Sequence, residues 1–125
     1  MSALKNSLDP VQMLCLDGDG IGPEITAATR RVLRAVDDCF DLNLTFTTQD
    51  IGFASLAASG TTFPDKVLDA AKAADGIVMG PVSTIDYPPA SEGGINPSGF
   101  LRKQLDLYAN IRPAKSYEGL PPRVG

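Results

Sequence analysis

Leu16-Asp17-Gly18-Asp19-Gly20-Ile21-Gly22-Pro23-Glu24-Ile25 is the stretch on which the reading of this chain turns. It follows an apolar run, Val11-Gln12-Met13-Leu14-Cys15-Leu16, that reads as a short buried strand. It opens onto a helical pattern. Pro23 suits a first helical position, where its missing N–H costs nothing, and Glu24 complements the helix dipole. Ile25, Ala28, Val32, Ala35 and Val36 recur at helical spacing as the expected apolar face, with Arg30, Arg31 and Arg34 mostly off it and an end near Cys39. Strand, glycine-rich turn and helix in this order is the layout of a phosphate-cradling loop, but the residue types argue otherwise. A pyrophosphate fingerprint needs G-x-G-x-x-G with bare N–H groups toward the ligand. Here Gly18, Gly20 and Gly22 fall one residue short at the last step, Asp17 and Asp19 repel a diphosphate, and Pro23 removes a donor. A tight strand-to-helix turn, whose glycines permit positive φ, is the better reading.

Downstream, Leu42, Leu44 and Phe46 alternate with Asn43, Thr45 and Thr47, the pattern of a half-buried strand. Residues 53–58 suggest a short helix closed by Gly60. Phe63-Pro64-Asp65 starts another, with Val67, Leu68 and Ala71 on one face, ending before Asp75-Gly76. Residues 77–79 read as a buried strand stopped by Gly80-Pro81. Residues 82–98 carry prolines and glycines without periodicity and read as a long loop, a kind that often serves function. Ser98 is expected to cap a helix over 99–107, and residues 108–111 to resume as a strand. Strands alternating with helices in this way predict an α/β sheet protein.

The chain has 125 residues, 43% of them hydrophobic and 21% charged, with a net charge of −4. One domain with a modest core follows, and disorder does not. The scattered basic residues give no electrostatic footprint for nucleic acid. Residues 1–10 lack a signal peptide's apolar stretch, and no run of 18 apolar residues marks a membrane span, so a soluble, cytoplasmic protein is expected. Cys15 and Cys39 are both expected as buried thiols. The absence of histidine excludes a Ser-His-Asp triad and a His-based zinc site.

Two further groups carry possible chemistry. Arg102 lies on the helix after the long loop and Arg112 at the end of the following strand. An antiparallel return would bring both back beside the loop, where two guanidinium groups can hold carboxylates in bidentate fashion. Ser98 stands four residues before Arg102, on the same side of the helix start. Two solvated surface arginines are the alternative reading. In Gly80-Pro81-Val82-Ser83-Thr84, directly beyond a strand's carboxyl end, the hydroxyls of Ser83 and Thr84 could meet a ribose or amide, or simply satisfy the turn.

Together, LDGDGIGPEI, GIVMGPVST and LRKQLDLYANIRPAK resemble the β-decarboxylating dehydrogenases, the family of isocitrate, 3-isopropylmalate, homoisocitrate and tartrate dehydrogenases. The resemblance runs from about Val11 to Lys115. It implies the N-terminal part of the isocitrate/isopropylmalate dehydrogenase-like α/β fold, which is not a Rossmann fold. Ile21 is then expected near the cofactor, Ser83 and Thr84 near the nicotinamide ribose, and Arg102 and Arg112 as two of three substrate-clamping arginines. Ser98, with Asn96 beside it, would sense the substituent that separates one substrate from another. Isopropylmalate enzymes usually place leucines where Ser98 and Gly99 stand, so a polar Ser98 suits a carboxylate-bearing substituent, and GPVST and LDLYANIRP lean toward isocitrate or homoisocitrate enzymes, isocitrate being preferred. Against that, Asn96-Pro97-Ser98 departs from the usual Ser-x-Asn of isocitrate enzymes, and Met79 stands where many carry a lysine.

The implied reaction is an oxidative decarboxylation of a 2-hydroxy-3-substituted dicarboxylate with NAD, or NADP, and Mg2+ or Mn2+. The third arginine, the catalytic tyrosine and lysine, the metal-binding aspartates and the adenine loop are expected beyond Gly125. No catalytic or metal residue is assigned within the chain, and Tyr87, Tyr108 and Tyr117 are not assigned that role. Residues 1–125 are thus expected to be a single partial α/β domain, incomplete alone, with 1–10 as a flexible tail and a homodimer or higher homo-oligomer as the assembly. A stand-alone, non-catalytic α/β module binding a carboxylate or a partner subunit is the competing expectation.

Overall fold

The structure, a computed structural model, describes residues 9–120. The expected tail over 1–10 therefore lies almost wholly outside the described residues. Three parallel strands form the sheet: β1 (Val11–Leu16), β2 (Leu44–Gln49) and β3 (Gly76–Met79), in the order β2-β1-β3. Helix α1 (Gly22–Phe40) connects β1 to β2, and α2 (Gly52–Ser59) and α3 (Asp65–Ala73) connect β2 to β3. A single 3-10 turn, Ala90–Glu92, interrupts the long loop before α4 (Pro97–Gln104). β1 is the central strand, with Leu14 opposite Thr47 on one side and Ile77 on the other.

Because successive side chains of a strand point to opposite faces, β1 serves two layers. Leu14 and Leu16 join Ile51, Phe63, Val67, Ala71 and Leu101 in one buried cluster, so the core lies between the sheet and α3 and α4, with Ile51 entering it from the N-cap of α2. Burying each large aliphatic side chain there contributes roughly 1.5–3 kcal/mol. No α1 residue belongs to this cluster.

That division corrects the reading of α1. Of the stripe taken as its core face only Val36 turns inward; the rest points outward, with Ile25 42% exposed, Val32 63%, and Ala28 and Ala35 exposed with them. The side turned to the protein carries buried Gly22 and Thr26 with half-buried Arg30, Leu33, Val36 and Asp37. The helix thus packs through a mixed face, and its more regular apolar stripe stays uncovered among the described residues. Cys15 is buried as expected, but Cys39, in the last turn of α1, is exposed.

Other differences have local causes. Leu42 does not start β2, because Asp41 and Asn43 both take left-handed backbone and make a turn around it. The Asp37 carboxylate then accepts from Leu44 N–H at 3.2 Å at the true strand start. β3 is half-buried rather than buried, since it lies at an edge of the sheet. α4 is capped by Asn96, not Ser98: its side-chain oxygen accepts from Gly99 N–H at 3.1 Å and Pro97 takes the first turn. The helix stops at Gln104 instead of Leu107, with left-handed Asp106 beyond it. Residues 108–111 form no strand. Tyr108 is 104% exposed and Ile111 84%, and no strand edge lies beside them to take up their backbone groups. Among the described residues, no helix is long and apolar enough to cross a membrane.

Candidate functional site

All three strands run parallel and end at one edge of the sheet, so the turns after β1, β2 and β3 gather there. This is where open α/β sheets place ligands. The glycine turn after β1 is closed by the chain's own backbone. Asp19 N–H donates to the Pro81 carbonyl at 2.8 Å, and Gly22 N–H to the Asp19 carbonyl at 2.9 Å. A Cβ on Gly18 would overlap the Pro81 carbonyl oxygen, and one on Gly22 or Gly80 the Asp17 carbonyl oxygen. These glycines let two turns cross at contact distance, and two of the turn's N–H donors, those of Asp19 and Gly22, are already used. Asp17 is engaged as well: it accepts from Thr26 Oγ1 at 2.6 Å and pairs with Arg30 at 3.0 Å.

Asp19 is the hub of the corner. It is 7% exposed, and its carboxylate accepts three hydrogen bonds. One oxygen takes Phe53 N–H at 2.7 Å; the other takes Ser83 N–H at 2.9 Å and the Tyr87 hydroxyl. The Phe53 and Tyr87 rings meet edge to face at 5.1 Å. Burial, then the hydrogen bond to Asp19 and its charge, push the Tyr87 phenol above its ordinary range, with the Ser83 backbone pulling the other way. Gly52, in left-handed backbone, lies so close that a Cβ there would overlap the Asp19 carboxylate.

A brace runs on from this corner to α4. Gly52 N–H donates to the Thr62 carbonyl at 2.8 Å. The fully buried Thr62 hydroxyl bonds the Ile95 carbonyl and accepts from Ile95 N–H, both at 2.7 Å, one residue before the α4 cap. Ile21 on one turn and half-buried Ser83 and Thr84 on the other thus flank Asp19, and the start of α4 is tied to the same body. Ser98 is half-buried and Asn96 exposed. Arg102 is exposed, its Nε donating to the Ser98 carbonyl at 3.1 Å. Arg112 stands in an exposed stretch outside any helix or strand, and among the described residues no hydrogen bond or ion pair joins it to Arg102.

Asp19, Gly52 and Tyr87 were given no site role from the sequence. The one available signal was Gly52, a glycine at a helix start with no turn to explain it, which is a mark of close approach. Among the described residues, no group of three or more His, Cys, Asp or Glu could hold a metal ion. A cleft of about 600 Å³ runs along the outer edge of β3, lined in part by Ala71, Lys72, Asp75, Ile77 and Leu105, but none of the candidate residues lines it.

Comparison with known proteins agrees with this architecture. The chain is 43% identical over 114 residues to the 3-isopropylmalate dehydrogenase of Hahella chejuensis, a match covering 87% of the chain and 31% of that protein. It is 40% identical over 112 residues to the 3-isopropylmalate dehydrogenase of Saccharophagus degradans, with 87% and 31% covered. The chain therefore spans about a third of the length of these relatives. Among solved structures, isocitrate dehydrogenase from Methylococcus capsulatus superposes with a TM-score of 0.70 at 35% identity, over 87% of this chain and 30% of that one. A β-decarboxylating dehydrogenase from Thermococcus kodakarensis gives 0.65 at 28% identity, over 78% and 27%. The fold is that of these enzymes, and with residues 12–123 matching the isocitrate/isopropylmalate dehydrogenase family, the chain belongs to that family.

Proposed function

We propose that this chain is the N-terminal part of a nicotinamide- and metal-dependent β-decarboxylating dehydrogenase of 2-hydroxy-3-substituted dicarboxylates. The observation that carries the reading is the corner at the carboxyl edge of the sheet. Asp19 ties the turn carrying half-buried Ser83 and Thr84 to the glycine turn that carries exposed Ile21, and the same body also holds the start of α4. NAD, with NADP as the alternative, and Mg2+ or Mn2+ supply the hydride acceptor and the Lewis acid when bound. The residues of this chain bind and orient. Ile21, Ser83 and Thr84 face the nicotinamide side. Arg102 and Arg112 hold the substrate's carboxylates, and Ser98, with Asn96 beside it, lies against its variable substituent.

Isocitrate is the preferred substrate, because a half-buried hydroxyl at Ser98 next to Gly99 offers no apolar wall for an isopropyl group and can donate to a carboxylate. The second reading is 3-isopropylmalate, favoured by the names of relatives at 43% and 40% identity. The test is reduction of NAD and NADP by the complete polypeptide with each acid and a divalent metal. A higher kcat/KM for isocitrate is expected. Arg102→Ala should lower it about 10- to 100-fold, mainly through KM, as a charge-assisted contact to the substrate is lost. An unchanged kcat/KM removes Arg102 from the clamp. No turnover with these acids, homoisocitrate or tartrate sinks the dehydrogenase reading and leaves a carboxylate-binding module.

A further inference from the structure

We propose that Asp19 is a positioning residue for the coenzyme-side corner: its buried carboxylate sets the Ser83–Thr84 turn against Ile21 and the start of α2. The inference rests on the functional reading above, in which that turn meets the coenzyme, and adds the residue that determines its geometry.

Apart from the close backbone crossing with the glycine turn and the packing of Val82 and Tyr87, the turn after β3 is held through Asp19. Among the described residues, the hydrogen bonds from 81–87 to the body of the chain end on Asp19: its N–H on the Pro81 carbonyl, and its carboxylate on Ser83 N–H and the Tyr87 hydroxyl. The same carboxylate holds Phe53 N–H, so α2 and the turn share one acceptor. A carboxylate is the only common side chain that accepts all three of these donors without presenting a donor of its own. Bonds to an ionised acceptor are roughly twice as strong as neutral ones. The arrangement is also filled: Gly52 leaves no room for a Cβ, and the Phe53 ring closes on Tyr87. Asp19 is 7% exposed and its carboxylate oxygens are taken up by Phe53, Ser83 and Tyr87, so it supports the corner from within.

Asp19→Asn keeps the volume but turns an amide N–H toward one of these donors, so the turn must shift. In the complete polypeptide this variant should bind the reduced coenzyme about tenfold more weakly, read by its fluorescence, with KM for the acid changed by less than about twofold. Tyr87→Phe, which removes one bond and keeps the ring contact, should weaken coenzyme binding about threefold at an unchanged melting temperature. A lower melting temperature with unchanged coenzyme affinity in both variants makes Asp19 merely structural and overturns the proposal. If Asp19→Asn does not fold, the same split read on Tyr87→Phe decides. A wild type that binds coenzyme but oxidises none of isocitrate, 3-isopropylmalate, homoisocitrate and tartrate refutes the dehydrogenase reading alone, and the coenzyme comparison still judges Asp19. A wild type that binds no coenzyme overturns both.

Discussion

Gly18 and Gly20 share one turn and the same left-handed backbone, φ 76° and 58°, yet their neighbours differ. A Cβ on Gly20 meets nothing within 4 Å, whereas one on Gly18 would overlap the Pro81 carbonyl. Gly20→Ala should therefore cost only its backbone strain, about 1–2 kcal/mol. Gly18→Ala adds a backbone clash that must move the turn after β3, and should cost more than about 3 kcal/mol. Urea unfolding of the two variants side by side separates the terms; equal losses would mean that the crossing of the two turns is not tight. The sequence shows why a pyrophosphate is the wrong occupant here, since Asp17, Asp19 and Pro23 are local facts. It does not show Asp19 as a hub. The donors come from Phe53, Ser83 and Tyr87, which are 34, 64 and 68 residues away along the chain. No local pattern encodes such distant partners, and only the meeting of three parallel strand ends brings them together.

At the scale of elements, periodicity locates a helix more readily than it orients one. α1 was legible in extent, from Pro23 at its start to the last turn at Phe40. Its orientation was not, because Ile25, Ala28, Val32 and Ala35 make a more regular apolar stripe than the face that packs on the sheet. That inner face includes Thr26 and Arg30, which a hydropathy pattern discards but which are satisfied by the Asp17 carboxylate. α4 shows the converse error. Ser98 is a good capping residue, but Asn96-Pro97 is a stronger start, because proline fits the first turn and asparagine reaches the third N–H. Asn96→Ala should accordingly cost about 1 kcal/mol of stability, seen as a lowered urea midpoint at unchanged slope. Ser98→Ala should cost under about 0.5 kcal/mol, as a half-buried side chain outside the cap. If the Ser98 variant lost more, the capping assignment would be reversed.

For the whole molecule, the outer edges of β2 and β3 are unpaired among the described residues, as the three-strand order dictates. Ile21, Ile25 and Val32 lie exposed along α1, and Leu107, Tyr108 and Ile111 lie exposed after α4. Open edges and contiguous apolar surface of this kind recruit partners, and the strand expected over 108–111 is absent for the same reason: a strand exists only against another strand. The 125-residue chain by itself should therefore self-associate, with a sedimentation-derived mass that rises with concentration. Ile25→Asp combined with Val32→Asp should return it toward the monomer while leaving the helical circular dichroism unchanged, because both side chains already face water in the isolated fold. In the complete polypeptide the same pair should instead lower the melting temperature by several degrees, since burying an unpaired carboxylate costs several kcal/mol. The two outcomes are linked: a face bare in the 125-residue chain and covered in a longer polypeptide would tolerate the charges in the first and lose stability to them in the second. A short chain that stays monomeric at high concentration, with a long chain indifferent to both aspartates, would mean that the outer face of α1 is a true surface of this protein.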